Sequence, residues 1–492
     1  MQLHNLSIRE AHQLLITKKI SSVELTQAIL QRIRDVDPKV KSYVTITDDL
    51  ALEQARGADE RIRKGENITP LTGIPFSMKD CISTRDVRTT CSSKILENYI
   101  PQYNAIVTNR LADAGAVLVG KTNMDEFGMG SSCENSAFFP TSNPWDLTRV
   151  PGGSSGGTAA AVAANLCTFG IGEDTGGSVR MPAGFCNITG LKPTYGRVPR
   201  YGLIALVSSF DCIGPMTRDV ADCAQVLQVI AGQDAHDSTS LLDAIPDYSE
   251  SLGKSVKGLR LGIPKEYFIA GMEAGVERAI REAIRIFEEL GMEIHEVSLP
   301  HTKYGLPVYY LILFAEASAN LARFDGTRFG LSANDGIASP LGIENIVDIY
   351  LKTRHDGFGD EVKRRIMLGA YTLSAGYYDA YYLKAQKVRT LLRRDFETAF
   401  EKCDALIAPI CPTTAFKLGE KTGDPLSMYL SDIYVAATNP AGVPSLTIPC
   451  GFSNDMPVGM QLIGKHLDEQ TLFQIGHAYQ QVTDWHKQLP PL

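Results

Sequence analysis

The stretch VPGGSSGGTAAAVAAN, residues 150–165, followed by LCTFGIGED, is the strongest constraint on the fold. A glycine–serine loop enters an alanine-rich helical pattern, and that pattern enters a short apolar strand pattern. The alternation continues on both sides. TGIPFSMKDC holds a short apolar run ending in Lys79, and NAIVTNRLADAGAVLVGKTNMDE reads as helix, glycine and buried strand. Further on come a helix in RDVADCAQVLQVIAG, a strand in LRLGIP and a long helix in GVERAIREAIRIFEELG. RRIMLGAYTLSAGYYDAYYLKAQKVRTLLRRDFETAFEKC is mostly helical, and ALIAPICPT and PSLTIPCGF read as late strands. This alternation predicts an α/β fold with helices packed on a largely buried sheet.

The first sixty-five residues read as helices: LSIREAHQLLITKK, SSVELTQAILQRIRDVD and ALEQARGADERIRKGE. Ser21 or Ser22 is a natural N-cap, with Glu24 in the first turn. No repeat, low-complexity segment or long linker interrupts the chain. Glycine and proline are spread through its middle, so residues 1–492 read as one large domain. Its parts are N-terminal helices over about 1–65, a core over about 70–225 and a remainder that completes the sheet and the pocket.

Composition removes several function classes. With 44% apolar and 21% charged residues, the chain has material for a core, and disorder is excluded. The net charge of -8 argues against a nucleic-acid-binding surface; VKRRIM and LLRRDF read as solvated helix faces. The 10 cysteines form no C-x-x-C pair, which suggests reduced thiols. MQLHNLSIREAHQLL lacks a basic region before an apolar run, and no uncharged apolar stretch reaches about eighteen residues. A cytoplasmic protein without a membrane span is expected.

A glycine-rich loop before a helix suits anions, but GGSSGGTAAA lacks the lysine of a phosphate loop. GIGEDTGG is one residue too wide for a dinucleotide fingerprint. Ser154 or Ser155 can simply cap the alanine helix. GEDTGGSVRMP repeats the design, with Gly176 and Gly177 able to aim backbone N–H groups at an oxyanion beside Ser178; the plain alternative is again a cap. Lys79, at the end of an apolar run, is expected to lose hydration and fall toward neutrality, unless it pairs with Asp80 or another carboxylate. No histidine lies between His12 and His236. His355 is the best-placed distant base, yet a neutral lysine acting through a bridging serine fits the local sequence better.

VPGGSSGGTAAAVAA followed by DTGGSVRMPA resembles the amidase signature family, hydrolases with a Ser–Ser–Lys triad. GSSCENSAFFPTSNPWD, GLKPTYGRVPRYGL, DCIGPMTRDVADCA, EASANLARFDGTRFG, GFGDEVKRRIMLG and AGYYDAYYLKAQKVR carry the resemblance along nearly the whole chain. Within the family, these blocks are similar to the glutaminase subunits of tRNA-dependent amidotransferases. The resemblance implies a central mixed β-sheet flanked by helices. Ser178 then matches the nucleophile, Ser154 the bridging serine and Lys79 the base. The amides of Thr175, Gly176, Gly177 and Ser178 match the oxyanion hole. Arg354 is placed on the α-carboxylate of glutamine and Asp424 on its α-amino group. Tyr309, or its neighbour Tyr310, contacts substrate, and Gly128 lines the pocket.

The resemblance implies no metal and no cofactor on this chain, with ATP and magnesium on a partner. That partner, a B subunit, binds Glu-tRNA(Gln); a small C subunit completes a heterotrimer; and ammonia passes between active sites. A free-standing amidase acting on another small amide is the alternative. Departures from the family pattern lie off the triad. The family more often has serine at Glu173, glutamine at Met181, threonine at Cys133 and glycine at Phe139. Cys133 beside the site suggests sensitivity to thiol reagents.

Overall fold

The computed structural model describes residues 2–268, 271–333 and 345–492. Its strands are β1 Tyr43–Ile46, β2 Pro75–Lys79, β3 Val117–Thr122, β4 Phe169–Asp174, β5 Thr189–Lys192 and β6 Cys212–Thr217. They continue with β7 Arg260–Pro264, β8 Glu293–Val297, β9 Ala405–Pro409, β10 Ser445–Ser453 and β11 Met456–Gly464. Among the described residues these form one sheet in the order β1-β3-β2-β4-β6-β5-β10-β11-β9-β7-β8. The sheet is mixed. β2 runs parallel to β3 and β4, and β7 parallel to β8 and β9; the other pairs are antiparallel.

The capping reading resolves to Ser21. Its hydroxyl accepts from Glu24 N–H at 3.1 Å, while the Glu24 carboxylate accepts from Ser21 N–H at 2.7 Å, closing a capping box. The N-terminal region is not all helix: β1 lies between the helices Ser22–Val40 and Asp48–Lys64 and pairs with β3. Four residues are too few to show a period, so tertiary pairing decides this segment. β6 also went unread as a strand. Gly214 and Pro215 at its centre look like a break, yet it pairs with both β4 and β5.

The fold positions the site through β2 and β4. They are parallel, with Ser77 opposite Gly170 and Met78 opposite Ile171, so their C-terminal ends reach the same edge of the sheet. Beneath, Phe76 and Phe169 stack at 5.2 Å between ring centroids. The helix Gly156–Ala163 lies fully buried against β2, β3, β4 and β6, where its run of small side chains allows close approach. Helices Gly305–Leu321 and Asp360–Leu373 pack on each other, and the first of them brings in Tyr309 and Tyr310. No helix among the described residues is long and apolar enough to cross a membrane.

Candidate active site

Lys79 closes β2 and is fully buried. Its Nζ donates to three oxygens: Ser154 Oγ at 2.7 Å, Glu173 Oε2 at 2.9 Å and the Glu173 backbone oxygen at 3.1 Å. Asp80 makes no ion pair with it; the carboxylate partner is Glu173, at the end of β4. The expectation of a lysine shifted toward neutrality is therefore corrected. Burial is the largest single influence and pulls Lys79 down. The Glu173 carboxylate, aided by Cys81 and Asp125, outweighs it and holds the ammonium above its ordinary range.

Ser155 occupies the N-cap position of the alanine helix, but neither its hydroxyl nor that of Ser154 bonds to the first turn. Ser154 faces Lys79, and the Ser155 hydroxyl donates to the Glu173 backbone oxygen at 2.9 Å, stitching the loop to β4. A Cβ on Gly153 would fall 2.1 Å from Asp125 Oδ2, so only glycine lets the chain pass there. Ser155 N–H donates to the Ser178 backbone oxygen at 3.1 Å, which joins the two serine loops. The Ser178 hydroxyl has no hydrogen-bond partner among the described residues, and the residue is 6% exposed. Ser178 is not an N-cap; that position falls to Val179.

The loop after β4 is shaped by a pair the sequence reading missed. Arg180 forks onto Asp174, Nε to Oδ2 and Nη2 to Oδ1, each at 3.0 Å, and both residues are fully buried. Asp174 also accepts from Gly177 N–H at 2.8 Å and Val179 N–H at 3.1 Å. Burial raises its carboxyl, but the Arg180 guanidinium overrides that and holds it well below the usual carboxylate range. One oxyanion assignment changes as a result. The Gly177 N–H is spent on Asp174, whereas those of Thr175, Gly176 and Ser178 have no protein acceptor among the described residues. Aspartate and arginine flanking the glycines at a spacing of six were the available signal.

The Amidase family model matches residues 24–473. The chain belongs to the amidase family. Relatives that carry the name of the A subunit of glutamyl-tRNA(Gln) amidotransferase occur in Carboxydothermus hydrogenoformans, 57% identical with each chain covered over 100%, and in Moorella thermoacetica, 57% identical with 100% and 99% covered. A crystal structure of the A subunit of glutamyl-tRNA(Gln) amidotransferase from Thermotoga maritima superposes with a TM-score of 0.81 at 40% identity, covering 98% of this chain and 96% of that one. A bacterial aryl acylamidase gives 0.86 at 25% identity, with 99% of each chain covered.

In this amidase the two tyrosines point in different directions. A Cβ on Gly176 would lie 2.2 Å from Tyr309 Cζ, so Tyr309 covers the oxyanion loop. Tyr310 turns away and donates to Asp432 Oδ2 at 2.8 Å. Gly128 faces Ser154 and Glu173: a Cβ there would sit 3.6 Å from Ser154 Oγ and 3.8 Å from Glu173 Oε2. Arg354 spends Nη1 on the carbonyls of Leu321 at 2.8 Å and Phe324 at 3.2 Å, and stacks on Tyr350 and Phe358. Its Nε and Nη2 carry no acceptor among the described residues. Phe358 packs edge-on against Phe127, the neighbour of Gly128, which ties Arg354 to the site.

Asp424 is exposed and caps the helix Pro425–Leu430 through Ser427 N–H at 3.2 Å. No ion pair joins it to Arg354 among the described residues. A second carboxylate, Asp432, lies buried beneath the tyrosines, accepting from Tyr310 and, at 2.9 Å, from Ser131. Burial pushes it up to about 7. Cys133 is fully buried, and burial pushes its thiol up to about 12. Because the thiolate is the reactive form, sensitivity to thiol reagents is not expected of it. Met181 is buried beside Val150 and Phe185. No cluster able to hold a metal ion occurs among the described residues.

Proposed function

We propose that this chain is the amide-hydrolysing A subunit of a glutamyl-tRNA(Gln) amidotransferase. In this reading it cleaves the side-chain amide of glutamine, and a partner uses the ammonia to convert Glu-tRNA(Gln) to Gln-tRNA(Gln). The observation that carries it is the 2.7 Å Lys79–Ser154 hydrogen bond beside the loop bearing the unpartnered Ser178 hydroxyl. Full-length relatives carrying that name support the choice of amide.

Ser178 Oγ attacks the carboxamide carbon. Its proton passes to Ser154, and Ser154 passes one to Lys79 in its neutral amine form. The new oxyanion faces the N–H groups of Thr175, Gly176 and Ser178; one such donor is worth about 10²–10³ in rate. The adduct collapses as the C–N bond breaks and the relay returns the proton to nitrogen. Ammonia leaves, and a glutamyl ester remains on Ser178. Water, deprotonated by the same relay, cleaves that ester and releases glutamate.

Arg354 suits the α-carboxylate because Nε and Nη2 form the edge that binds carboxylates bidentately. For the α-ammonium, burial favours Asp432 over the exposed Asp424. A bound ammonium would bring the Asp432 carboxyl back down and gain a desolvated partner. ATP, magnesium and Glu-tRNA(Gln) belong to a partner B subunit in this reading, with a small C subunit completing the assembly.

The test is ammonia release from glutamine by the full chain purified with its partners. Ser178→Ala should lower it by at least about 10³-fold. Equal release from both would remove Ser178 and this mechanism. Hydrolysis of other amides without glutamine would favour a free-standing amidase. Asp432→Asn should raise KM for glutamine about tenfold or more, with Asp424→Asn unchanged; the reverse pattern returns the ammonium to Asp424.

A further inference from the structure

Three protons of an ammonium at Lys79 are fully placed: on Ser154 Oγ, Glu173 Oε2 and the Glu173 backbone oxygen. A neutral amine has two protons, and as a base it must turn its lone pair to Ser154. The titratable groups around Nζ come from several elements, and Cys91 and Cys133 also feel its charge. β4 supplies Glu173, the turn after β2 supplies Cys81, and the loop after β3 supplies Asp125. The glycine–serine loop supplies Ser154.

Glu173 has a second set of partners. Its Oε1 accepts from Thr175 Oγ1 at 2.6 Å, and that hydroxyl also lies 2.8 Å from Asp211 Oδ1. One hydroxyl proton cannot serve two carboxylates at once. Asp211 is fully buried, and burial, then the neighbouring Glu173 charge, push it up to about 8. The extra proton therefore rests on Asp211, one hydroxyl away from the Glu173 carboxylate that meets Lys79 at 2.9 Å.

We propose that Glu173 is a positioning residue that locks the triad lysine as an ammonium through neutral pH, so that Ser178 becomes nucleophilic only as pH rises. The inference rests on reading Ser178, Ser154 and Lys79 as the reacting set. Release of the lock needs one proton lost from the Lys79–Glu173 pair. Removing the Glu173 charge takes away the largest influence that opposes burial at Lys79, which then yields its proton at lower pH.

The test is the rate at which a fluorophosphonate labels Ser178 in the full chain, followed from about pH 6 to about pH 10. In this step the Ser178 oxygen bonds to phosphorus, fluoride leaves, and the serine proton passes through Ser154 to Lys79. Neither glutamine nor tRNA is needed. The rising limb should move down by at least about one unit in Glu173→Gln and in Glu173→Ser. Labelling near neutrality then becomes about tenfold faster than in the wild type. Unchanged limbs in variants shown by melting to be folded overturn the lock and leave the triad standing. No labelling of the wild type at any pH removes the triad and the lock together. A second measurement needs no change at Glu173. The side-chain nitrogen NMR signal of Lys79, assigned by its loss in Lys79→Met, should stay at an ammonium position through neutral pH. An amine position there overturns the proposal.

Discussion

Lys79 and Lys121 are both fully buried, on adjacent parallel strands, with Met78 opposite Lys121 and Lys79 opposite Thr122. Their surroundings send them in opposite directions. Lys121 donates to neutral oxygens: the carbonyl of Ile82, Thr89 Oγ1 at 3.0 Å and Thr84 Oγ1 at 3.4 Å. Burial lowers it, and Asp80 only partly opposes that, because Asp80 makes no ion pair with it and turns Oδ2 to the N–H and hydroxyl of Thr90. Lys79 touches Glu173 at 2.9 Å and is raised. Burial sets the cost of the charge, and a carboxylate in direct contact decides which form survives. Of the two lysines, only Lys79 also holds a serine hydroxyl that leads toward Ser178.

The comparison breaks most visibly at Lys79. Lys79→Met removes the relay's proton acceptor, so the rate of Ser178 phosphonylation should fall by about 10²–10⁴-fold. The measurement is fluorophosphonate labelling in parallel with a thermal melt. A folded Lys79→Met chain that labels at the wild-type rate would reduce Lys79 to a structural ion-pair partner, no different in kind from Lys121.

What was legible in the sequence divides along the same line. Lys79, Ser154 and Ser178 stand out because unusual residue types end an apolar run or sit among glycines. The helices and the longer apolar strands carry periods that one segment reveals by itself. Glu173 as the partner of Lys79 was not legible, since it depends on β2 and β4 being parallel neighbours in a register no local pattern reports. Asp211 and Asp432 reach the site in the same way, across 36 residues to Thr175 and 122 to Tyr310. Arg354 was found through the resemblance alone; its anchoring on the end of another helix is visible only in three dimensions. β1 and β6 were lost to shortness and to a central Gly-Pro.

Lys121→Met sharpens the comparison from the other side, with a smaller effect on a different quantity. The substitution keeps volume but leaves the Ile82 carbonyl without the donor it has in Lys121, and it removes the cation that tempers Asp80. Each buried polar group stranded in this way costs about 1–3 kcal/mol. Urea unfolding should therefore show a lower midpoint with an unchanged slope. Labelling of Ser178 per folded molecule should match the wild type at every pH, because no hydrogen bond of Lys121 leads to Ser154 or Glu173. A loss of labelling comparable to that of Lys79→Met, in a chain that still folds, would mean that the two lysines act as one electrostatic unit. The contact with Glu173 would then not be what separates them.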